Sequence, residues 1–104
     1  IELDPNFGRA YGYLGLSYLK LGRSNEAVKA LETAVELTSR QNIVLSELGY
    51  VYGAIGNRAA ATSVVKELEA KYGRNQASGH DVAAVYSGLG EKDKTFEWLE
   101  KDFQ

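Results

Sequence analysis

One fixed spacing constrains this chain more than any other feature. Leu14, Gly15, Tyr18, Gly22 and Ala27 recur as Leu48, Gly49, Tyr52, Gly56 and Ala61, each 34 residues further on (Leu14 to Leu48, Ala27 to Ala61). A second step of 34 reaches Val82, Ala83, Tyr86, Gly90 and Thr95, with Tyr and Gly retained. A period of this size belongs to a solenoid, in which each unit buries its apolar face only against its neighbours. Within a unit the apolar spacing is helical. Leu14, Tyr18 and Leu21 follow i, i+4, i+7, and so do Leu48, Tyr52 and Ile55.

This pattern predicts six helices, over about residues 7–20, 25–37, 42–55, 58–72, 79–89 and 92–103. Asn6, Ser24 and Asn57 stand as N-caps, and Ser78 with Asp81 makes a capping box with Asp in place of Glu or Gln. Gly22, Gly56 and Gly90 fall between helices, where a chain reversal favours positive φ. Gly15 and Gly49 fall inside first helices, at a cost of roughly 1 kcal/mol each relative to Ala. They are expected to meet Ala27 and Ala61 as a small-on-small contact. The only proline, Pro5, sits at a helix boundary.

These residues resemble the tetratricopeptide repeat, a 34-residue helix–turn–helix unit with a W-x2-L-G-x2-Y … A pattern. Tyr11 and Leu45 stand where that family has its leading Trp, and Gly79 departs from it. Leu31, Val65 and Leu99 occupy the bulky slot of the second helix. Ala34 keeps the late small residue, whereas Leu68 and Asp102 do not. The resemblance implies an all-α, right-handed solenoid of antiparallel helix pairs, about three units in a single domain. Residues 1–7 are expected to be the tail end of a preceding repeat. Residues 8–41 and 42–75 make the first two repeats, and residues 76–104 an incomplete third. Ile1–Asn6 align with Val35–Arg40 at the same spacing, and the chain does not begin with Met, so it reads as an excerpt of a longer repeat protein.

The formal net charge is −2 with both signs interspersed, which argues against the clustered basic potential that nucleic acid or an anionic membrane requires. There is no cysteine, so disulfides and thiolate metal sites are excluded. His80 is the sole histidine and has no second His or Cys for a metal. Ser17, Ser46, Ser63 and Ser87 lack a recognisable nucleophile motif, and the Gly-rich stretches lack the Lys-Ser/Thr ending of a phosphate loop. The expectation is a cytoplasmic protein that is not an enzyme and needs no cofactor. Its partner is a protein or peptide, not nucleic acid or membrane.

In the family that the chain resembles, the first helix of each repeat lines a concave surface that receives a peptide or a partner helix. Carried over, that surface comprises Arg9, Gly12, Leu16 and Lys20, then Ile43, Ser46, Tyr50 and Gly53, then Ala77, His80, Ala84 and Ser87. The Lys, Asn and Arg clamp with which some members grip a C-terminal carboxylate is missing. Gly12, Leu16, Tyr50, Ala77 and Asp81 stand there instead, so the groove reads as roomy and mildly apolar. Tyr18, Tyr52 and Tyr86 share one slot and are expected in the core. The C-terminal segment resembles terminal repeats of bacterial multidomain signalling proteins, which suggests a regulatory part of a larger protein. Phe96, Trp98 and Phe103 crowd the last helix and form a candidate terminal interface, with a homodimer through that helix as one expected arrangement. The competing function is a self-association module that stacks through its terminal helices and recognises no ligand.

Overall fold

The computed structural model describes residues 5–103. They form α1 (Pro5–Lys20), α2 (Ser24–Leu37), α3 (Asn42–Ala54), α4 (Arg58–Gly73), α5 (Gly79–Gly88) and α6 (Lys92–Lys101). The helices pair as α1/α2, α3/α4 and α5/α6, and no strand occurs among the described residues. The chain is thus an all-α solenoid of about three units.

Each pair turns on its repeated glycine. Gly22, Gly56 and Gly90 have φ of +78°, +89° and +76°. The following N–H reaches back five residues to the repeated tyrosine: Arg23 to Tyr18, Asn57 to Tyr52 and Glu91 to Tyr86, at 2.9, 2.8 and 3.0 Å. This is the Schellman closure, which satisfies a carbonyl that the helix end leaves open. The turns between pairs lack glycine at their left-handed positions, and Ser39, Arg40 and Asn75 take φ of 53°, 60° and 59° instead.

The caps came out unevenly. The Asn57 side chain accepts from Ala60 N–H at 3.2 Å. The Ser78–Asp81 box forms in both directions, at 3.2 and 3.1 Å. Ser24 and Asn6 are not caps, because each lies inside its helix. In α2 the cap position falls on Arg23, whose side chain makes no capping bond. Its backbone does the work at that joint, accepting from Ala27 N–H while its own N–H closes the turn. The expected tail of a preceding repeat falls largely on residues 1–4, outside the described residues.

The core runs through all three pairs. Leu31, Val44, Leu45, Val51, Leu68, Val82 and Val85 are its fully buried larger side chains. Gly15 meets α2 as expected, since a Cβ there would lie 2.6 Å from Leu31 Cγ and 3.1 Å from the Ala27 carbonyl oxygen. Gly49 serves two neighbours, Val64 of its own pair and Val85 of the next, at 2.8 and 2.7 Å from such a Cβ. Gly79 replaces the bulky residue of the first helix because the Trp98 carbonyl of α6 occupies that space.

Two non-repeating glycines set the packing of α3 on α5. A Cβ on Gly53 would lie 2.7 Å from Gly88 C and Leu89 N, and one on Gly88 would lie 2.8 Å from Tyr50 Cα. The helices therefore meet backbone to backbone. The corresponding slots between the first two pairs hold Leu19 and Ala54, which carry side chains.

Candidate functional site

Two kinds of surface emerge from this frame. The first is the row of first-helix residues. On α1, Arg9 is half-buried, with its guanidinium 3.5 Å from the Tyr13 hydroxyl. Gly12 is buried, and a Cβ on it would lie 2.9 Å from Glu47 Oε1. Burial pushes the Glu47 carboxyl above the usual carboxylate range, and the Arg9 charge opposes that shift. Leu16 is half-buried and packs on the core, while Lys20 is exposed.

On α3, Ile43 and Tyr50 are exposed although six of its 13 residues are buried. Ser46 lies between them but is buried, and its hydroxyl donates to the Ile43 carbonyl at 2.7 Å. In the third unit Ala77 and Ala84 are half-buried and His80 is exposed. Gly12 and Ser46 thus offer no accessible side-chain surface. Gly53 belongs to the α3–α5 contact rather than to an open groove. The accessible members are then the exposed Lys20, Ile43, Tyr50, His80 and Ser87 with the half-buried Arg9, Leu16, Ala77 and Ala84; Leu16, Tyr50 and Ala84 share one repeat slot, and Arg9, Ile43 and Ala77 another.

His80 has a partner that the sequence did not suggest. Its Nδ1 lies 3.4 Å from Asp102 Oδ2. The same carboxylate accepts from the backbone N–H groups of Gly79 and His80 at 2.7 and 2.9 Å. Asp102 therefore caps α5 from the end of α6, where its negative charge meets the positive end of the helix dipole. The Gly79 N–H bond, then His80, hold its carboxyl below the ordinary aspartate range. This explains why an Asp occupies a slot that elsewhere holds Ala34 or Leu68.

The second kind of surface is the joint between units. At the first joint a cleft of about 410 Å³ separates α2 from α3 and α4, lined by Glu32, Val35, Leu45, Leu48, Tyr52 and Val64 among others. Tyr52 is half-buried there, and its hydroxyl donates to Glu32 of the preceding unit at 2.8 Å. Burial, with that carboxylate beside it, pushes the Tyr52 phenol up to about 12. Tyr86 makes a comparable bond one unit on, donating to Glu69 at 2.6 Å although the Glu32 slot there holds Lys66, and its phenol is raised for the same reasons. Arg40 clasps Glu67 across the first joint, and Arg58 reaches the Leu89 carbonyl and Glu91 across the second, both at 3.2 Å. The repeated tyrosine is therefore less a core residue than a hinge of contact between units. Tyr86 is buried, whereas Tyr18 and Tyr52 are only half so.

At the C-terminal end the three aromatics separate. Trp98 packs edge-on against Tyr72 with ring centroids 5.1 Å apart and carries the Lys101 ammonium over its face. It is held by its own chain. Phe96 and Phe103 are exposed. At the opposite end Phe7, Leu14 and Leu21 are exposed. Among the described residues no group of three His, Cys, Asp or Glu side chains converges, and no helix is long and apolar enough to cross a membrane.

Comparison with protein families matches residues 8–40 to the tetratricopeptide repeat. No curated protein and no solved structure matches the chain.

Proposed function

This chain belongs to the tetratricopeptide repeat family, whose repeats generally mediate protein–protein interactions, and on that premise we propose that it captures a partner helix or an extended apolar peptide on its first-helix face. The observation that carries this reading is the exposure of Ile43 and Tyr50 on α3, seven residues apart and hence two turns along one face. An amphipathic helix docks through anchors at that spacing, and an aromatic residue such as Tyr50 is a usual centre of binding energy. Leu16 and Ala84 flank Tyr50 in the same repeat slot, so a ligand lying across the units would meet apolar surface in each. Gly12, Leu16, Tyr50, Ala77 and Asp81 leave no basic clamp, so the ligand is held by side-chain contacts rather than by a terminal carboxylate.

Selection of a displayed random-peptide library on the chain tests this. Selected peptides should carry apolar residues at helical or alternating spacing, and Tyr50→Asp should weaken them at least tenfold. Peptides whose binding is unchanged by both Tyr50→Asp and Ile43→Asp would overturn the assignment of the face.

A second reading, self-association through the terminal helices, is favoured by the exposure of Phe96 and Phe103.

A further inference from the structure

Between Ile43 and Tyr50 on α3 stands a carboxylate with no hydrogen-bond donor among the described residues. Glu47 follows Ile43 by one turn and precedes Tyr50 by one turn, so the three share a face of the helix. It is half-buried, whereas Ile43 and Tyr50 are exposed. Its side chain leans onto α1, where Oε1 lies 2.9 Å from the position of a Cβ on Gly12. The Gly12 slot carries a side chain in the next two units, as Ser46 and His80. The first unit leaves that space to the carboxylate.

This carboxylate is neither satisfied nor sealed. Arg9 acts on it through charge alone, forming no ion pair with it, and the Arg9 guanidinium lies 3.5 Å from the Tyr13 hydroxyl instead. No fully buried polar side-chain atom lacks a partner among the described residues, so the Glu47 oxygens meet solvent. The equivalent residue one unit on, Asp81, returns its carboxylate to the Ser78 N–H in a capping box. Glu47 stands mid-helix, where backbone N–H groups are already bonded within the helix, and has no such use. Burial already disfavours its charge. A wholly apolar ligand laid over Ile43 and Tyr50 would remove the remaining solvent and strand an unpaired charge, which is costly. A ligand cation at that point replaces the lost water with a charge-assisted bond.

We propose that the partner captured on the first-helix face is a basic peptide, whose Lys or Arg side chain pairs with Glu47 between apolar residues that meet Ile43 and Tyr50. This rests on the face assigned under the proposed function and adds its charge specificity. Arg9 opposes it, since its positive charge weakens the pull on a ligand cation.

Selection of the displayed random-peptide library on wild type and on Glu47→Gln gives the test, with circular dichroism verifying that each variant folds. Peptides selected on wild type should carry Lys or Arg between apolar residues, and those selected on Glu47→Gln should not. Glu47→Lys should turn the preference to Asp or Glu. The strongest wild-type peptide is then made with acetylated and amidated ends. Replacing its basic residue by Gln should weaken binding about tenfold on wild type and by less than about twofold on Glu47→Gln. Arg9→Gln should tighten the basic peptide. Glu100→Gln, which removes the same charge from an exposed position on α6, should leave its affinity unchanged. Equal losses on wild type and Glu47→Gln overturn the pairing, and a Tyr50→Asp variant that still binds weakly shows that the face itself stands. Binding lost on acetylation places the cation at the peptide's terminus and overturns the side-chain assignment. Weakening by Glu100→Gln as large as that by Glu47→Gln traces the preference to net charge and overturns it too. Peptides indifferent to Glu47→Gln, Tyr50→Asp and Ile43→Asp alike, or a library that yields no binder, overturn both readings.

Discussion

Replacing Gly88 by Ala probes the contact that most distinguishes the second joint from the first. Gly88 is the last residue of α5 and its φ is not in the left-handed region, so its backbone accepts Ala without strain. Helix propensity alone would make the change favourable by up to roughly 1 kcal/mol. Space opposes it. The new methyl would lie 2.8 Å from Tyr50 Cα and 2.9 Å from Tyr50 C, and nearer still to the Tyr50 carbonyl oxygen. Ordinary contact begins at 3.4 Å, so α3 and α5 must part locally by at least 0.6 Å (3.4 − 2.8). Both neighbours are backbone and cannot turn aside as a side chain can.

Overpacking of this kind costs typically 1–3 kcal/mol. After the propensity gain the net loss should be about 1–2 kcal/mol. For a domain of this size that lowers Tm by very roughly 5–15 °C. Gly73→Ala is the control, because it also ends a helix but nothing lies within 4 Å of its Cβ position. It should be neutral or slightly stabilising. Gly53→Ala shares the contact from the other side, so the double variant should lose less than the two single losses added together. Urea and thermal unfolding of wild type and these four variants decide the matter. A Gly88→Ala protein as stable as Gly73→Ala would refute the argument that backbone approach sets this joint.

Three further outcomes are expected. Leu31→Ala removes a fully buried side chain that also fills the space above Gly15, and should cost roughly 3 kcal/mol by urea unfolding, within the usual range for such truncations. Asp102→Asn should speed hydrogen exchange in the first turn of α5. Because the Asp102 pKa is lowered on folding, its contribution is complete above the ordinary aspartate range and lost as pH falls through the lowered value, so wild type should lose stability more steeply than the variant below about pH 4. The Tyr52 phenol is raised to about 12 from an unfolded value near 10, so the stability it adds is complete below about pH 10 and disappears as pH climbs toward 12. Tyr52→Phe should be about 1 kcal/mol less stable at neutral pH and flatter across that alkaline window, and a variant as steep as wild type would count against the Glu32 bond.

Much of this architecture was legible in one dimension. The spacing of Leu14, Tyr18, Gly22 and Ala27 and of their copies specifies paired helices, because helical periodicity and the left-handed turn are local properties of consecutive residues. The Asn57 cap and the Ser78–Asp81 box were legible for the same reason: donor and acceptor lie within one turn. Ser24 misled because the Schellman closure moved the cap position to Arg23, a competition between two local motifs that residue type alone does not settle.

What only the tertiary structure decided was the fate of residues that act across units. The sequence marks Gly53 and Gly88 as glycines outside the repeat, but not that they face one another across α3 and α5. Asp102 looked like a departure from a small-residue slot and proved to cap α5 from 22 residues away. Ser46 and Gly12 sit at groove-facing positions in register yet are buried, and Leu14 sits at a core position yet is exposed. A repeat determines which slot a residue fills, and burial depends on whether another helix lies over that slot. That is a property of the neighbouring unit, so equivalent residues along the chain meet different surroundings.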